Sequence, residues 1–300
     1  MSDSTASLQR KISSAGELES VVRTMKALAA SSISQYERAV RSLDEYYHAV
    51  QLGLAACLRQ GTPLLDNVRS RRDRPAATGV VIFGSDQGLV GQFNDELADF
   101  AMQALADLPG SRVVWAVGER MQLRLSNIGQ ETATLFSVPN SISAVTPLIG
   151  RILTEIEMQR ELGRVEQVYI FHNRPKSGAL YEPASQRLLP LDADWQHDLL
   201  VQRWPTKNLP EVVGDSAATL WALIREYLFV SLFRACTESL ASENASRLAA
   251  MQRAEKNIDE LLVELRLTYH RLRQSGIDAE LFDVISGFEA LTTHKRTVRK

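Results

Sequence analysis

Apolar and small residues in the first 58 positions recur at alternating steps of three and four. One row runs Ala15, Val22, Ala29, Tyr36, Leu43, Val50, Cys57, and a second runs Leu18, Met25, Ser32, Ala39, Tyr46, Gly53. Each row repeats every seven residues. A stripe with that repeat keeps facing one partner helix, so the pattern predicts a coiled-coil helix. The segment holds no proline and only Gly16 and Gly53. At 1.5 Å per residue it would measure roughly 80 Å. Its rows are rich in Ala, Ser and Gly, which predicts close backbone approach and a weakly specified register.

A second proline-free region runs from about Glu211 to Leu291. Its stripe reads Ala241, Ala245, Leu248, then Ile258, Leu262, Leu265, Tyr269, Leu272, then Ile277, Leu281, Val284, Phe288, Leu291. Fully helical, it would span roughly 120 Å. Two such helices at opposite ends of one chain are expected to pair antiparallel into a rod.

Between them the period changes. Val68 to Pro75, with Arg69, Arg71, Arg72 and Arg74, reads as a solvated linker. The β-branched run Thr78 to Phe83 predicts a buried strand. A helix is expected over Asn94 to Leu108, stopped by Pro109-Gly110. Then follow a strand over Arg112 to Val117, a helix over Glu119 to Ser126, a strand over Glu131 to Val138, a helix over Val145 to Leu162 and a strand over Gln167 to Phe171. A hairpin is expected across Ala179 to Leu191, and Asp192 to Pro210 reads as a connection back to the rod. Strands alternating with helices predict a small α/β domain with a mostly parallel sheet. The expected division is a coiled-coil helix over 1–66, the α/β domain over 67–210 and a second coiled-coil helix over 211–300.

Composition narrows the class. Of 300 residues, 45% are hydrophobic and 23% charged, as in ordinary globular chains. Lys plus Arg total 34 against 36 Asp plus Glu, a net charge of -2, which argues against a nucleic-acid partner. Two cysteines, Cys57 and Cys236, are too few for a disulfide framework. The polar stretch Met1 to Lys11 has no signal-peptide core. Leu220 to Ala235 is broken by Arg225, Glu226 and Arg234, so no bilayer span is expected. These features point to a soluble intracellular protein.

Catalytic chemistry is sparse. Gly84-Ser-Asp-Gln-Gly88-Leu-Val-Gly91 follows a strand and precedes a helix, where phosphate loops sit. Its spacing is neither GxGxxG nor GxxxxGK[ST], and it has no lysine, so it reads as a tight turn with Asp86 capping the loop or a helix start. His48, His172, His197, His270 and His294 show no metal-ligand spacing. The two cysteines read as packed thiols, and no GxSxG is present. The expectation is no catalytic residue, no cofactor and no metal. The basic tail Lys295, Arg296, Arg299, Lys300 reads as a solvated terminus.

Three segments together resemble the gamma subunit of F-type ATP synthases. Thr24-Met-Lys-Ala-Leu-Ala-Ala-Ser-Ser-Ile33 is similar to the family's amino-terminal "TKAMKMVAASKM". Gly84-Ser-Asp-Gln-Gly-Leu-Val-Gly-Gln-Phe-Asn94 is similar to "S/TDRGLCGGFN". The carboxy-terminal segments Leu240 to Met251, Tyr269 to Ile277 and Glu280 to Gly287 parallel "ASExxARMxAMxxAxxNA", "YNxxRQxxITxEL" and "EIVSGAxAL", in order. The resemblance implies an α/β class fold: a long antiparallel coiled coil of the terminal helices, with a small Rossmann-like domain between them.

It further implies a non-catalytic central rotor shaft. Ion flow turns the c-ring, the shaft turns with it, and its asymmetry drives the beta subunits through different nucleotide states. The implied partners are the alpha and beta subunits, the epsilon subunit and the c-ring. The implied place is the cytoplasmic face of a bacterial inner membrane, peripheral, through the c-ring. Carried over by motif, the contacts to the alpha/beta hexamer are Met25, Lys26, Arg247, Arg273 and Gln274. Several positions depart from the family: Ser32 where lysine is usual, Gln87 where arginine is frequent, Asp278 where threonine is frequent, and a nearly charge-balanced first helix. They leave the role intact and open the subtype, including a divergent sodium-pumping form. Two rival readings are a nucleotide-binding α/β enzyme and a coiled-coil scaffold unrelated to ATPases. The turn at Gly84 to Gly91 speaks against the first, and the carboxy-terminal motifs speak against the second.

Overall fold

A computed structural model describes residues 4–60, 77–106, 108, 110–208 and 210–297, with side chains to 286. The linker read at Val68 to Pro75, the side chains of Phe288, Leu291, His294, Lys295 and Arg296, and Arg299 and Lys300 lie outside it. The chain begins with helix α1, Thr5–Arg59, and ends with α6, Ser216–Thr297. The elements between are β1 Thr78–Phe83, α2 Phe93–Ala106, β2 Arg112–Val117, α3 Glu119–Asn127, β3 Thr134–Phe136, α4 Ile142–Glu161, β4 Gln167–Lys176, β5 Ala179–Leu189 and α5 Ala193–Val201.

Four expectations need adjustment. The hairpin is formed by β4 and β5 about Ser177-Gly178, because β4 runs on past Phe171 to Lys176 and pairs antiparallel with β5. Gly178 turns there at a positive φ that glycine adopts without steric cost. The connection from Asp192 contains a two-turn helix, α5, whose start is capped by Asp192 accepting from the Trp195 N–H at 3.1 Å. β3 is three residues long, and α4 begins at Ile142, so Pro147 stands inside it.

Contacts divide the chain into two compact units, 1–27 with 249–300, and 28–248. In the first, α1 and α6 run antiparallel. Lys26 Nζ lies 2.5 Å from Glu255 Oε2 and Arg23 Nε 3.4 Å from Glu255 Oε1, while Ser7 to Leu18 line a groove with Leu261 and Leu265. Leu8, Ala15, Met251 and Leu262 are its buried apolar residues.

The second unit carries the sheet, in the order β3-β2-β1-β4-β5. β1 pairs parallel with β2 and β4, and β2 parallel with β3. Alternate residues of β1 feed two cores, as the two-residue period of a strand requires. Val80 and Ile82 pack with Leu97, Ala101 and Leu105 of α2 and Met121 and Leu125 of α3. Val81 and Phe83 pack with Leu148, Ile149 and Ile152 of α4 and with Leu232, Cys236 and Leu240 of α6. A third core joins Val50, Leu54 and Cys57 of α1 to Leu199 of α5 and Leu220, Ile224 and Tyr227 of α6. By length and composition alone α6 holds a stretch able to cross a bilayer. Leu220, Ile224, Tyr227, Val230, Leu232 and Cys236 from its apolar part are nevertheless buried within the chain.

Candidate functional site

In an open sheet of this order the strand sequence reverses between β1 and β4, and the crevice beyond their carboxyl ends is where such folds take ligands. Here Phe83 ends β1 and the turn Gly84 to Gly91 follows. The turn satisfies itself. Ser85 N–H donates to Asn94 Oδ1 at 3.0 Å, Asn94 Nδ2 donates to Ser85 Oγ at 2.8 Å, and Ser85 Oγ donates to the Gln87 carbonyl at 3.0 Å.

Asp86 acts as the expected cap, on α3 rather than α2. Its carboxylate accepts from the Glu119 N–H at 3.0 Å and from the Val138 N–H at 2.9 Å. The α3 start it serves follows Gly118, which has a positive φ and lies so close to Ser85 that an added Cβ would sit 2.6 Å from the Ser85 carbonyl oxygen. Leu89 adopts φ 63° with its side chain exposed.

The crevice itself receives α6. Ser239 Oγ donates to the Phe83 carbonyl at 3.0 Å and Ser246 Oγ to the Val90 carbonyl at 2.6 Å. Between these turns of α6, the buried Glu243 pairs with Arg247 at 2.5 Å. Burial pushes the Glu243 carboxyl up and Asp86 adds to this, more than Arg247 pulls it down. One turn earlier, the buried Glu238 meets His172 of β4, with Oε2 2.8 Å from Nε2. Burial alone would raise the Glu238 carboxyl, but hydrogen bonds from His172 and Arg234 more than offset it and hold it below the ordinary range. Arg234 extends the chain of contacts to α1, 3.3 Å from Asp44 and with its guanidinium 5.8 Å over the Tyr47 ring. In the sequence His172 shows only the lack of metal-ligand spacing, and Ser246 stands inside the motif segment Leu240 to Met251 with no role of its own. Glu238 and Ser239 carry no motif, and only tertiary contact brings the four together.

The motif residues fall apart by environment. Met25 is half-buried, and Lys26 is tied to Glu255. Arg247 is largely buried, its side chain 12% exposed, and bonded to Glu243 and, at 3.4 Å, to Asn244. Arg273 and Gln274 are exposed, and neither forms a hydrogen bond or ion pair among the described residues. They stand on a stretch of α6, from Arg271 to Ser286, where every residue is exposed. Ile277, Leu281, Phe282, Val284 and Ile285 are among them, Phe282 at 68% and Val284 at 70%. Among the described residues no three His, Cys, Asp or Glu converge as a metal site would require.

The family model described as ATP synthase matches residues 4–291. The ATP synthase gamma chain of Polynucleobacter asymbioticus is 27% identical, over 96% of this chain and 99% of that protein. The gamma chain of Dehalococcoides mccartyi is also 27% identical, over 95% of this chain and 98% of that one. Among solved structures, the rotor of Euglena gracilis mitochondrial ATP synthase superposes with a TM-score of 0.60 at 17% identity, over 91% of this chain and 98% of that chain. A chain of the central stalk and c-ring assembly of the Tetrahymena thermophila enzyme gives 0.55 at 21% identity, over 78% and 99%. With a family match that runs over nearly its whole length, after a coiled pair of terminal helices and an α/β sheet between them, this chain belongs to the ATP synthase gamma-chain family.

Proposed function

We propose that this chain is the central shaft of a rotary F-type ATP synthase, turned by the c-ring and working on the alpha/beta hexamer. The observation that carries the mechanism is the stretch of α6 exposed on every side. At about 100° per residue, Leu272, Ile277, Leu281, Phe282, Val284 and Ile285 cover roughly two thirds of the helix circumference. A helix with one flat partner needs a stripe of little more than 100°. Apolar surface this wide suits a partner that surrounds the helix, and a hexamer does so.

A shaft works by differential contact: each orientation must favour one conformation of a surrounding subunit over another. Arg273 and Gln274 offer free donors for such contact. Met25, Lys26 and Arg247 are assigned to the same hexamer surface, with their second role inside the chain. The functional division remains 1–66, 67–210 and 211–300. The alpha, beta and epsilon subunits and the c-ring are the partners, and attachment to the membrane is peripheral, through the ring. The chain itself is non-catalytic, as the role of a shaft implies. Bacterial relatives support the cytoplasmic face of a bacterial inner membrane. The departures at Ser32, Gln87 and Asp278 leave the subtype open between the main form and an alternate, sodium-pumping one.

A pull-down of tagged chain from gently solubilised native membranes tests the reading. Recovery of alpha, beta, epsilon and c subunits with ATPase activity is expected, and the ions pumped by the recovered complex report the subtype. A clean, inactive chain without those partners would return the unrelated scaffold to first place.

A further inference from the structure

The crevice between the carboxyl ends of β1 and β4, open to ligands in other sheets of this order, is filled by the chain's own α6. The side chains that enter it are small or polar rather than greasy. Ser239 and Ser246 donate to the carbonyls of Phe83 and Val90, and Glu238 accepts from His172 of β4, level with the end of β1. Thr237 and Ser242 complete a run of α6 buried from Val230 to Glu243 apart from the partly exposed Arg234. Apolar packing alone resists sliding and rotation weakly, because it has no preferred direction. Buried hydrogen bonds are directional, and breaking one leaves a desolvated partner unpaired.

From this we infer that the sheet's ligand crevice serves as a socket for the shaft, and that His172–Glu238, Ser239–Phe83 and Ser246–Val90 are the fasteners that pass torque between the α/β domain and α6. These are positioning residues. The inference rests on the rotor reading. It assigns a mechanical role to a histidine and two serines that an ordinary core would replace with apolar residues. The Glu238 carboxylate also holds Arg234, which reaches Asp44 and Tyr47 on α1, so the same fastener grips both long helices where they pass the sheet.

The test uses the whole ATP synthase carrying variant shafts, fixed by the hexamer, with a bead on the c-ring. Torsional stiffness is read from the bead's angular fluctuations, and the ions pumped per ATP from vesicles. His172→Phe keeps a flat ring and removes the hydrogen bond; a loss of stiffness and of pumping ratio is expected. His172→Gln restores a donor to Glu238 and should restore both readouts. Equal loss in the two variants would assign the effect to ring packing and overturn the fastener. Should His172→Phe fail to assemble, the double variant Ser239→Ala, Ser246→Ala decides, since it deletes two hydroxyls and little volume; unchanged stiffness there overturns the proposal. If the unaltered chain recovers no alpha, beta or c subunits, the rotor reading itself has failed, which the fluctuation measurement cannot be mistaken for.

Discussion

Two carboxylates a little over one turn apart on α6, Glu238 and Glu243, respond to acid in opposite senses because their buried partners differ. Glu238 is held below the ordinary carboxylate range, so the stability it contributes is present above that range and lost as pH falls through its depressed value. Glu243 is held above it, so its ionised form costs stability at neutral pH and that cost is relieved as pH falls. Unfolding free energy followed from neutral pH down past the carboxylate range should therefore lose part of its acid-side decline in Glu238→Gln and steepen it in Glu243→Gln. Two further positions set the turn. Gly118→Ala places a Cβ against the Ser85 carbonyl at a positive φ, and a loss of about 2–4 kcal/mol is expected from strain and overpacking together. Asp86→Ala leaves the Glu119 and Val138 N–H groups without their acceptor, and a loss of about 1–2 kcal/mol is expected on urea unfolding.

Among the elements, α1 shows what a heptad pattern tells and what it withholds. The row through Ala15, Val22, Ala29, Tyr36, Leu43, Val50 and Cys57 is buried or half-buried along its length, and Leu8 extends it by one repeat. The second row read from the sequence is more exposed, with Leu18 at 58% and Tyr46 also outside. The face that turns inward instead runs Ile12, Glu19, Lys26, Ile33, Val40, Tyr47, Leu54, one position on. Steps of three and four fit on either flank of the first row, and the residues that break the tie, Glu19 and Lys26, look like surface residues until Glu255 of α6 is placed beside Lys26. The same reason explains the sheet. β1 and β2 were legible to the residue because buried parallel strands read as unbroken β-branched runs. β5 is an edge strand with one face in solvent, and α5 hides in a Trp- and Asp-rich stretch, so neither carries a strong period. The contacts of the socket were not legible, not even that of Ser246 inside a matched motif, since serines and one histidine show no partner until two distant segments meet. The difference between the two rows read from the sequence is testable. Leu8→Ala should cost about 2–5 kcal/mol, and Leu18→Ala about 0.5 kcal/mol or less, on denaturant unfolding followed by circular dichroism.

At the scale of the whole molecule, stability and function are assigned to different lengths of the same helix. From Leu220 to Ser246, α6 supplies side chains to two cores and to the socket, so substitutions there are felt by the isolated chain. From Arg271 to Ser286 it supplies nothing to the chain's own core, since every residue there is exposed. A helix without partners keeps its hydrogen bonds but gains no tertiary burial, and apolar residues left in water on such a stretch are a solubility burden for a free monomer. They make sense only in an assembly. Changing Phe282 and Val284 together to Ser should leave the unfolding of the isolated chain within about 0.5 kcal/mol, because both side chains are exposed among the described residues. The same double variant should lower the yield of intact ATP synthase or its turnover, because those two are the large apolar side chains with the highest fractional exposure on that length of α6. Arg273→Ala beside it should also leave the free chain unchanged and act only on the assembled enzyme. An isolated chain that unfolds earlier in either variant would mean that this end of α6 finds a partner within its own protein, and the enclosing sleeve would no longer be needed to explain its surface.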